Sequence, residues 1–189
     1  MQQDIAQPAP PDNISSSSLQ LHGVLVRVLG TGVLLLGESG IGKSECALDL
    51  ITRGHKLVAD DVVRVLTTPG TLIGKAPELT FGLLEIRGLG VIDVRGAFGD
   101  EAVCEESSIE LCVELQKNAD VERIGNVLYP HNIGGRSVPK FVLPVSPGRN
   151  LAILVETGAR IFINRDSCTD AAPLLVARQR ALLDSVQRL

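Results

Sequence analysis

The feature that most constrains this chain is the stretch at residues 37–44, which reads G-E-S-G-I-G-K-S. It matches the phosphate-loop pattern G-x-x-x-x-G-K-[ST] in full. The glycines let backbone N–H groups turn inward around a phosphate, Lys43 offers a positive charge to the β- and γ-phosphates, and Ser44 offers a hydroxyl to Mg²⁺. We therefore predict an ATP-binding, phosphoryl-transferring site formed by Gly37, Glu38, Ser39, Gly40, Ile41, Gly42, Lys43 and Ser44.

The residues on both sides of the loop supply the context that this motif requires. Residues 33–36 are four apolar residues, short enough for a buried strand, and after Lys43 the side chains of Ala47 and Ile51 share one helical face. Gly54 is well placed to end that helix. The alternative is a glycine-rich turn with an exposed lysine, which the agreement of strand, loop and helix disfavours. The succession of strand, phosphate loop and helix predicts an α/β fold. The scarcity of aromatic residues predicts a core of Leu, Val, Ile and Ala.

Composition excludes several classes of function. A length of 189 residues favours one domain, and a net charge of -4 without a basic run argues against a nucleic-acid partner. No apolar run reaches the roughly 18 residues of a membrane span, and the start of the chain does not resemble a signal peptide, so we expect a cytoplasmic protein. The four cysteines are widely spaced, which indicates free thiols in place of a disulfide framework or a zinc site.

The start of the chain differs in composition from the rest. Residues 1–18 are rich in Gln, Pro, Asp, Asn and Ser, and we expect them to form a disordered leader. The catalytic domain is then expected to occupy residues 19–189. Within it, strands at residues 21–28 and 33–36 predict one hairpin, and the strands that flank Pro69-Gly70 predict another.

Later segments differ in how clearly they indicate a structure. Residues 83–94 are apolar but interrupted by charged residues and glycines, so we expect an irregular loop, and residues 116–137 are polar and are also expected to be loop. Residues 151–164 fit either a helix or a strand. Residues 171–189 carry an apolar stripe at helical spacing and predict a C-terminal helix. Strands are expected at residues 109–115 and 141–145.

Two adjacent carboxylates, Asp60 and Asp61, follow the apolar residues 56–59, about 17 residues after the phosphate loop. In a phosphate-loop enzyme a carboxylate at such a place can bind Mg²⁺ or act as a base. Adjacent side chains on an extended chain point in opposite directions, so we expect at most one of the pair to face the nucleotide directly. The alternative is a polar turn between two strands.

Five further polar residues become candidates for the active site only when they are considered together. Glu85 and Arg87 share one face of an extended segment, where the alternative is a surface ion pair. His22 lies in the first predicted strand, where a structural histidine is the alternative. Arg123 and Arg149 each lie near a glycine in a loop, where a solvated arginine is the alternative.

Taken together, these residues resemble the catalytic domain of the HPr kinase/phosphorylase family, from about residue 21 to about residue 164. The long segment at residues 84–94 is far more specific than the phosphate loop alone. The matching segments are residues 22–25 (H-G-V-L), 42–45 (G-K-S-E), 53–61 (R-G-H-K-L-V-A-D-D), 84–94 (L-E-I-R-G-L-G-V-I-D-V), 123–125 (R-I-G) and 144–152 (P-V-S-P-G-R-N-L-A).

The resemblance implies a fold and an activity. The fold would be a phosphate-loop, phosphoenolpyruvate-carboxykinase-like β-rich core with flanking helices, a helix at residues 150–164 and a C-terminal helix. The family phosphorylates a serine of HPr, the small phosphocarrier protein of the sugar phosphotransferase system. It also removes that phosphate by phosphorolysis, which consumes inorganic phosphate and releases pyrophosphate. Its members are hexamers with an N-terminal domain, which we expect to be absent here because only about twenty residues precede His22.

The resemblance also implies roles for individual residues. Residues 37–44 would hold ATP or pyrophosphate, and Ser44 and Glu85 would organise Mg²⁺. Asp61 would be the acid/base, with His22, Lys43 and Arg123 completing the catalytic site. Residues 84–94 would serve both reactions. The dephosphorylation and substrate region would comprise Arg87, Pro144, Val145, Ser146, Pro147, Gly148 and Arg149.

Two other functions remain open at this stage. A short relative of the family would phosphorylate another protein or a small molecule, and its mark would be divergence outside the phosphate loop. The acidic residues 99–103 and the poorly matching tail after Ile163 hint at such divergence. A non-enzymatic nucleotide sensor is the second alternative, and the retention of Asp61, Glu85 and Arg123 argues against it.

Overall fold

The phosphate loop extends from the middle of a six-stranded sheet in the computed structural model, which describes residues 18–117, 128–166 and 171–186. The strands are β1 (Ser18–His22), β2 (Val24–Val28), β3 (Thr31–Leu36), β4 (Lys56–Ala59), β5 (Val62–Thr68), β6 (Thr71–Lys75), β7 (Leu83–Ile86), β8 (Gly90–Asp93), β9 (Glu106–Ser108), β10 (Leu111–Lys117), β11 (Tyr129–Ile133) and β12 (Arg136–Val145). The α-helices are α1 (Lys43–Thr52), α2 (Val94–Phe98), α3 (Leu151–Ile163) and α4 (Ala171–Val186), and single 3₁₀ turns lie at Glu78–Thr80 and Asp100–Ala102.

Three sheets make up the fold. The six-stranded sheet has the order β11-β12-β10-β3-β2-β4, in which β10 pairs in parallel with both β3 and β12 and the other pairs are antiparallel. An antiparallel sheet of order β1-β5-β6-β9 packs on one face of it. Helices α1 and α3 pack on the other face, and β7 and β8 form a separate hairpin. The predicted α/β fold with a β-rich core and a C-terminal helix is confirmed.

Strand β3, which leads into the phosphate loop, is anchored on both of its faces. Its side chains alternate, so that Val33 and Leu35 join the core beneath the helices while Leu34 joins the core between the two large sheets. All three are 0% exposed. A strand buried on both faces has a continuous apolar sequence, and each such side chain stabilises the fold by roughly 2 kcal/mol. The loop therefore starts from a rigid support.

The predicted strand at residues 21–28 is in fact two strands in different sheets. Strand β1 belongs to the four-stranded sheet and β2 to the six-stranded sheet, and Gly23 lies between them. Its backbone N–H donates to the carbonyl oxygen of Asp61 at 3.0 Å. Residues 21–25 (L-H-G-V-L) fit a single, weakly alternating strand as well as two strands, so the sequence alone did not reveal the change of sheet. The β2–β3 hairpin, the β5–β6 hairpin and helix α1 are confirmed.

The two segments predicted as loops contain strands. Residues 83–94 form the β7–β8 hairpin and the first residue of α2, because Leu84 and Ile86 alternate with the exposed Glu85 and reach the core. In residues 116–137, the edge strand β11 and the start of β12 pair with each other. Strand β11 has a polar sequence because it lies at the edge of its sheet, where most of its side chains are exposed. Residues 118–127, including Arg123, lie outside the described residues.

Both C-terminal segments are helical. Helix α3 settles the ambiguity at residues 151–164, because burial of Ala152, Val155, Ala159 and Phe162 on one face outweighs the β-branched composition. Helix α4 is confirmed over Ala171–Val186. Apart from Ser18, which begins β1, the predicted leader lies outside the described residues. None of the described helices combines the length and the apolar character that a membrane span requires.

Candidate active site

The phosphate loop connects the end of β3 to the start of α1 through a series of positive φ angles. Gly40 has φ of 73° and Gly42, which caps α1, has φ of 105°. Residues that carry a Cβ rarely adopt positive φ angles, so these positions require glycine. The helix that follows directs its positive N-terminal end at the loop. The backbone therefore has the form of an anion cradle.

Lys43 is a buried cation that lies against this cradle. It is 7% exposed, and its Nζ donates to the carbonyl oxygens of Gly37 at 2.9 Å and Glu38 at 3.0 Å. These bonds offset the cost of burying an ammonium group. Nζ also lies 3.4 Å from Nε2 of His22. The position of Lys43 beside the loop suits contact with a bound phosphate.

His22 and Asp61 form a pair at the mouth of the site. His22 ends β1, and Asp61 lies in the turn between β4 and β5 with φ of 64°. Nδ1 of His22 lies 3.0 Å from Oδ1 of Asp61, and the side chains are 52% and 70% exposed, respectively. The carboxylate of Asp61 is thus accessible to a hydroxyl group that enters from solvent. An accessible carboxylate in this position can accept a proton from that hydroxyl.

Asp60 lies beneath this pair and is 6% exposed. Its Oδ1 accepts a hydrogen bond from Oγ of Ser44 at 2.9 Å, and its Oδ2 accepts one from the backbone N–H of Glu85 at 3.0 Å. Burial raises the pKa of the Asp60 carboxyl, and the hydrogen bonds from Glu85 and Ser44 oppose part of that rise. Asp60 and Asp61 both line the same cavity, because the positive φ of Asp61 takes the chain out of the extended form on which the alternation argument depended.

Glu85 and Arg87 reach the site from the β7–β8 hairpin. Glu85 lines the cavity, and the guanidinium of Arg87 covers the phosphate loop so closely that a Cβ on Gly40 would lie 3.0 Å from Nη2. Within the described residues, Glu85 and Arg87 form no ion pair with each other. The hairpin therefore brings one acidic and one basic group to the phosphate loop.

These groups surround one open cavity of about 150 Å³. Its lining residues are His22, Val24, Ser39, Gly40, Gly42, Lys43, Ser44, Glu45, Asp60, Asp61, Glu85 and Arg87. Of the predicted nucleotide-binding residues, Ile41 is buried in the core, and Gly37 and Glu38 contact Lys43 through their carbonyl groups. The segment at residues 144–149 does not line this cavity, and Nη1 of Arg149 donates to the carbonyl oxygen of Pro144 at 3.3 Å.

The oxygen atoms of Ser44, Asp60 and Glu85 are of the kind that Mg²⁺ prefers. Across the part of the chain that the structure describes, no cluster of three or more His, Cys, Asp or Glu side chains is arranged to hold a metal ion without other ligands. Magnesium in phosphoryl-transfer sites is usually held by one or two protein groups together with substrate phosphates and water. The oxygen atoms of Ser44 and Glu85, which both line the cavity, fit a metal ion that is held in this way.

Comparison with known proteins places this geometry in a family context. Residues 13–179 match the family model described as the HPr Serine kinase C-terminal domain. The HPr kinase/phosphorylase of Clostridium perfringens strain SM101 is 41% identical over 172 residues, which are 89% of this chain and 55% of that protein. The HPr kinase/phosphorylase of Clostridium tetani is 48% identical over 165 residues, or 85% of this chain and 54% of that protein.

A solved structure agrees with these sequence relatives. The structure of the Hpr(Ser) kinase/phosphatase from Coxiella burnetii is similar to this one with a TM-score of 0.73 and 36% sequence identity, covering 78% of this chain and 92% of that chain. This chain spans about half the length of the curated relatives it matches.

Proposed function

Because this chain belongs to the HPr serine kinase C-terminal domain family, we propose that it is a bifunctional enzyme acting on a serine of an HPr-type phosphocarrier protein. It uses ATP with Mg²⁺ to phosphorylate that serine and inorganic phosphate to remove the phosphoryl group as pyrophosphate. It works in the cytoplasm as a homo-oligomer, with the hexamer of the resembling family as the expected state. The observation that carries the proposal is the convergence of Asp61, His22 and Lys43 on the cavity at the phosphate loop.

In the kinase direction, Asp61 accepts the proton of the substrate serine while the serine oxygen bonds to the γ-phosphorus of ATP. The bond between that phosphorus and the β–γ bridging oxygen breaks, and ADP leaves with the electron pair. Lys43 offsets the charge that develops on the transferring group, and backbone N–H groups of the loop hold the phosphates. A magnesium ion, when bound at Ser44 and Glu85, supplies further charge neutralisation.

The phosphorylase direction uses the same atoms in reverse. An oxygen of inorganic phosphate bonds to the phosphorus of phosphoserine, and the bond from phosphorus to the serine oxygen breaks. Protonated Asp61 gives its proton to that oxygen, and the proton lost by the attacking phosphate restores Asp61. Arg87 lies over Gly40, where it can hold the pyrophosphate product. From the family pattern alone, residues 144–149 are assigned to this half of the cycle, and Arg123 is assigned to the catalytic site that serves both halves.

The acidic residues 99–103 do not indicate that the partner protein differs from HPr. Asp100 pairs with Arg95 at 3.1 Å, and Glu101 pairs with Lys56 at 3.1 Å. Neither acidic residue lines the cavity. These exposed ion pairs are a surface feature of the turn that follows α2, so the proposal keeps HPr as the partner.

Two assays test the proposal. In the first, the protein is incubated with HPr, ATP and Mg²⁺, and phosphoserine is located by mass spectrometry, with a Ser→Ala HPr as the control. In the second, phosphoserine-HPr and inorganic phosphate are supplied, and pyrophosphate is measured. Absence of phosphoserine in the first assay would refute the kinase activity, and absence of pyrophosphate in the second would refute only the phosphorylase activity.

A further inference from the structure

We infer that Leu89 and Val91, here called the apolar rim, are a docking surface for the protein substrate and contact an apolar side chain beside its acceptor serine. This inference rests on the proposed function, because it concerns the partner that brings the serine to Asp61. Its starting point is exposure, since Leu89 is 72% and Val91 is 65% exposed. Neither is among the described residues that line the cavity, but both belong to the hairpin from which Glu85 and Arg87 do so.

The pairing within the hairpin puts Val91 on the side of the cavity. Val91 is the register partner of Glu85 in the antiparallel pair of β7 and β8. Residues directly opposite each other in such a pair have their side chains on the same face, with Cβ atoms about 4.5–5.5 Å apart. Because Glu85 lines the cavity, Val91 lies beside the cavity. The other face of the hairpin is the one through which Leu84 and Ile86 join the core.

Leu89 lies at the tip of the same hairpin. Its backbone N–H donates to the carbonyl oxygen of Ile86 at 3.0 Å, which holds the turn in place. Gly88 and Gly90, on either side of it, have φ of 89° and 87°. No atom of the described residues lies within 4 Å of a Cβ built at either glycine. The backbone around Leu89 is therefore open to an approaching molecule.

Single exposed apolar residues are common on protein surfaces, so the position of the apolar rim carries the argument. The backbone N–H of Glu85, opposite Val91, donates to Oδ2 of Asp60 at 3.0 Å, and Asp60 precedes Asp61 in the chain. A serine hydroxyl that gives its proton to Asp61 must come within about 2.6–3.2 Å of that carboxylate. Successive Cα atoms of a protein are only about 3.8 Å apart. A protein that delivers a serine to Asp61 therefore brings the neighbours of that serine to the edge where Val91 lies.

The chemistry of the apolar rim indicates what it contacts. Phosphate groups of ATP or pyrophosphate gain nothing from a valine or leucine side chain, which binds by removal of apolar surface from water. The gain is proportional to the apolar area that the partner covers. An apolar side chain next to the acceptor serine supplies such area, and it would approach only as part of a protein substrate. We therefore assign the apolar rim to recognition of the protein.

The test combines Leu89→Ser with Val91→Thr in one variant, since threonine keeps the shape of valine and suits a strand. We expect the KM for HPr to rise roughly tenfold with kcat nearly unchanged, because loss of binding that is equal in the ground and transition states raises KM alone. The KM for phosphoserine-HPr should rise likewise, and the KM for ATP should change less than about twofold. Leu79→Ser is the matched control, since Leu79 is 88% exposed and its 3₁₀ turn, Glu78–Thr80, is not among the described elements that line the cavity.

Variants of HPr identify the other side of the contact. Each apolar residue that flanks the acceptor serine is replaced by serine in turn, and the KM is measured with the unsubstituted and the doubly substituted enzyme. At the position that contacts the apolar rim, the rise in KM seen with the unsubstituted enzyme should be smaller with the doubly substituted one. Independent effects at every position would overturn the inference.

The remaining outcomes also decide between explanations. An unchanged KM for HPr in the doubly substituted enzyme, or an equal rise in the KM for ATP, would overturn the inference. So would a change of oligomeric state in light scattering, which would make the apolar rim a contact between copies of this chain. Thermal unfolding checks the fold, and Leu89→Ser alone replaces the double variant if that variant does not fold.

Failure of the proposed function gives a different result. Absence of HPr phosphorylation by the unsubstituted protein would count against the proposed function itself. Phosphorylation of HPr with the same KM in the unsubstituted and the doubly substituted protein would count only against the apolar rim.

Discussion

Nδ1 of His22 lies 3.0 Å from Oδ1 of Asp61 at the mouth of the cavity. The other ring nitrogen, Nε2, lies 3.4 Å from Nζ of Lys43. An ammonium group can only donate, so Nε2 is the acceptor and the ring proton is on Nδ1, from which it is donated to Asp61. In this arrangement Asp61 accepts a hydrogen bond from His22, which orients its carboxylate at the mouth of the cavity.

Two substitutions of His22 separate its two contacts. Asparagine places a donor near the position of Nδ1, whereas glutamine places an acceptor near the position of Nε2. A hydrogen bond to a charged group is worth about 1.5–3 kcal/mol, so we expect His22→Gln, which loses the contact with Asp61, to lower kcat roughly 10- to 100-fold relative to His22→Asn. Steady-state kinase assays measure the difference. Equal losses in the two variants would contradict the ranking.

Replacement of Asp61 tests the acid/base role without disturbing the fold. Asp61 has φ of 64°, a region that asparagine tolerates better than alanine, for which the strain is about 1–2 kcal/mol. We expect Asp61→Asn to lower kcat by roughly 10²- to 10⁴-fold with little change in ATP affinity or melting temperature. Kinetics, calorimetry and thermal unfolding provide the three readouts. Asp49→Asn, at a residue outside the cavity that pairs with Arg53, is the control, and full activity in Asp61→Asn would refute the role.

A pair of glycines distinguishes the phosphate loop from ordinary turns. Gly40 and Gly54 both have positive φ, at 73° and 89°. A Cβ at Gly40 would meet Nη2 of Arg87 at 3.0 Å, whereas a Cβ at Gly54 would have no atom within 4 Å. Both alanine variants should lose about 1 kcal/mol of stability from backbone strain. ATP affinity, measured by calorimetry, should fall at least tenfold in Gly40→Ala alone, and an equal fall in Gly54→Ala would rule out a local effect.

Two buried thiols make the fold sensitive to alkaline pH. Burial raises the pKa of Cys46, with a further contribution from Asp49, and burial also raises the pKa of Cys112, in each case from 9.0 to about 12. Above pH 9 the unfolded thiols lose protons that the folded thiols keep, so the free energy of unfolding falls as pH rises from 9 towards 12. The slope is at most about 1.4 kcal/mol per pH unit for each thiol.

Urea unfolding at pH 8, 9 and 10 measures this dependence. The variant in which Cys46→Ala and Cys112→Ala are combined is the control, because other groups also titrate in this range. It should be less stable at pH 8 but show a shallower loss of stability between pH 9 and 10. An equal slope in the control and the unsubstituted protein would show that the thiols do not contribute.

The parts of the fold that the sequence predicted are those set by local patterns. Strand β3, the loop and α1 follow one another in the chain, so their apolar periods and glycines were enough to identify them. The hairpin formed by β7 and β8 was missed because its apolar residues are interrupted by glycines and by charged residues, of which Glu85 and Arg87 line the cavity. Helix α3 was ambiguous because one of its faces is buried against a sheet. Helix propensities of individual residues take no account of such tertiary packing.

The residues of the site were predicted more completely than the hydrogen bonds between them. His22, Lys43, Ser44, Asp61 and Glu85 do line one cavity. The contacts of Asp60 were missed because they run to residues 16 and 25 positions away. A sequence signal was present, since Asp60 directly follows a buried apolar strand, where a side chain tends to be enclosed. Its partners could be found only once the three elements were placed in space.

The junctions between sheets have a mechanical consequence. The chain passes from the four-stranded to the six-stranded sheet at Gly23 and back again at Asp60 and Asp61, and the two crossings are tied by the bond from the N–H of Gly23 to the carbonyl oxygen of Asp61. The chain crosses between these sheets a third time at residues 109–110, where the N–H of Glu110 donates to the carbonyl oxygen of Gly32. The place where His22 and Asp61 meet is therefore one of the fixed points of any movement of one sheet against the other. We expect His22 and Asp61 to keep their relative geometry in such a movement while parts of the sheets far from these crossings are displaced.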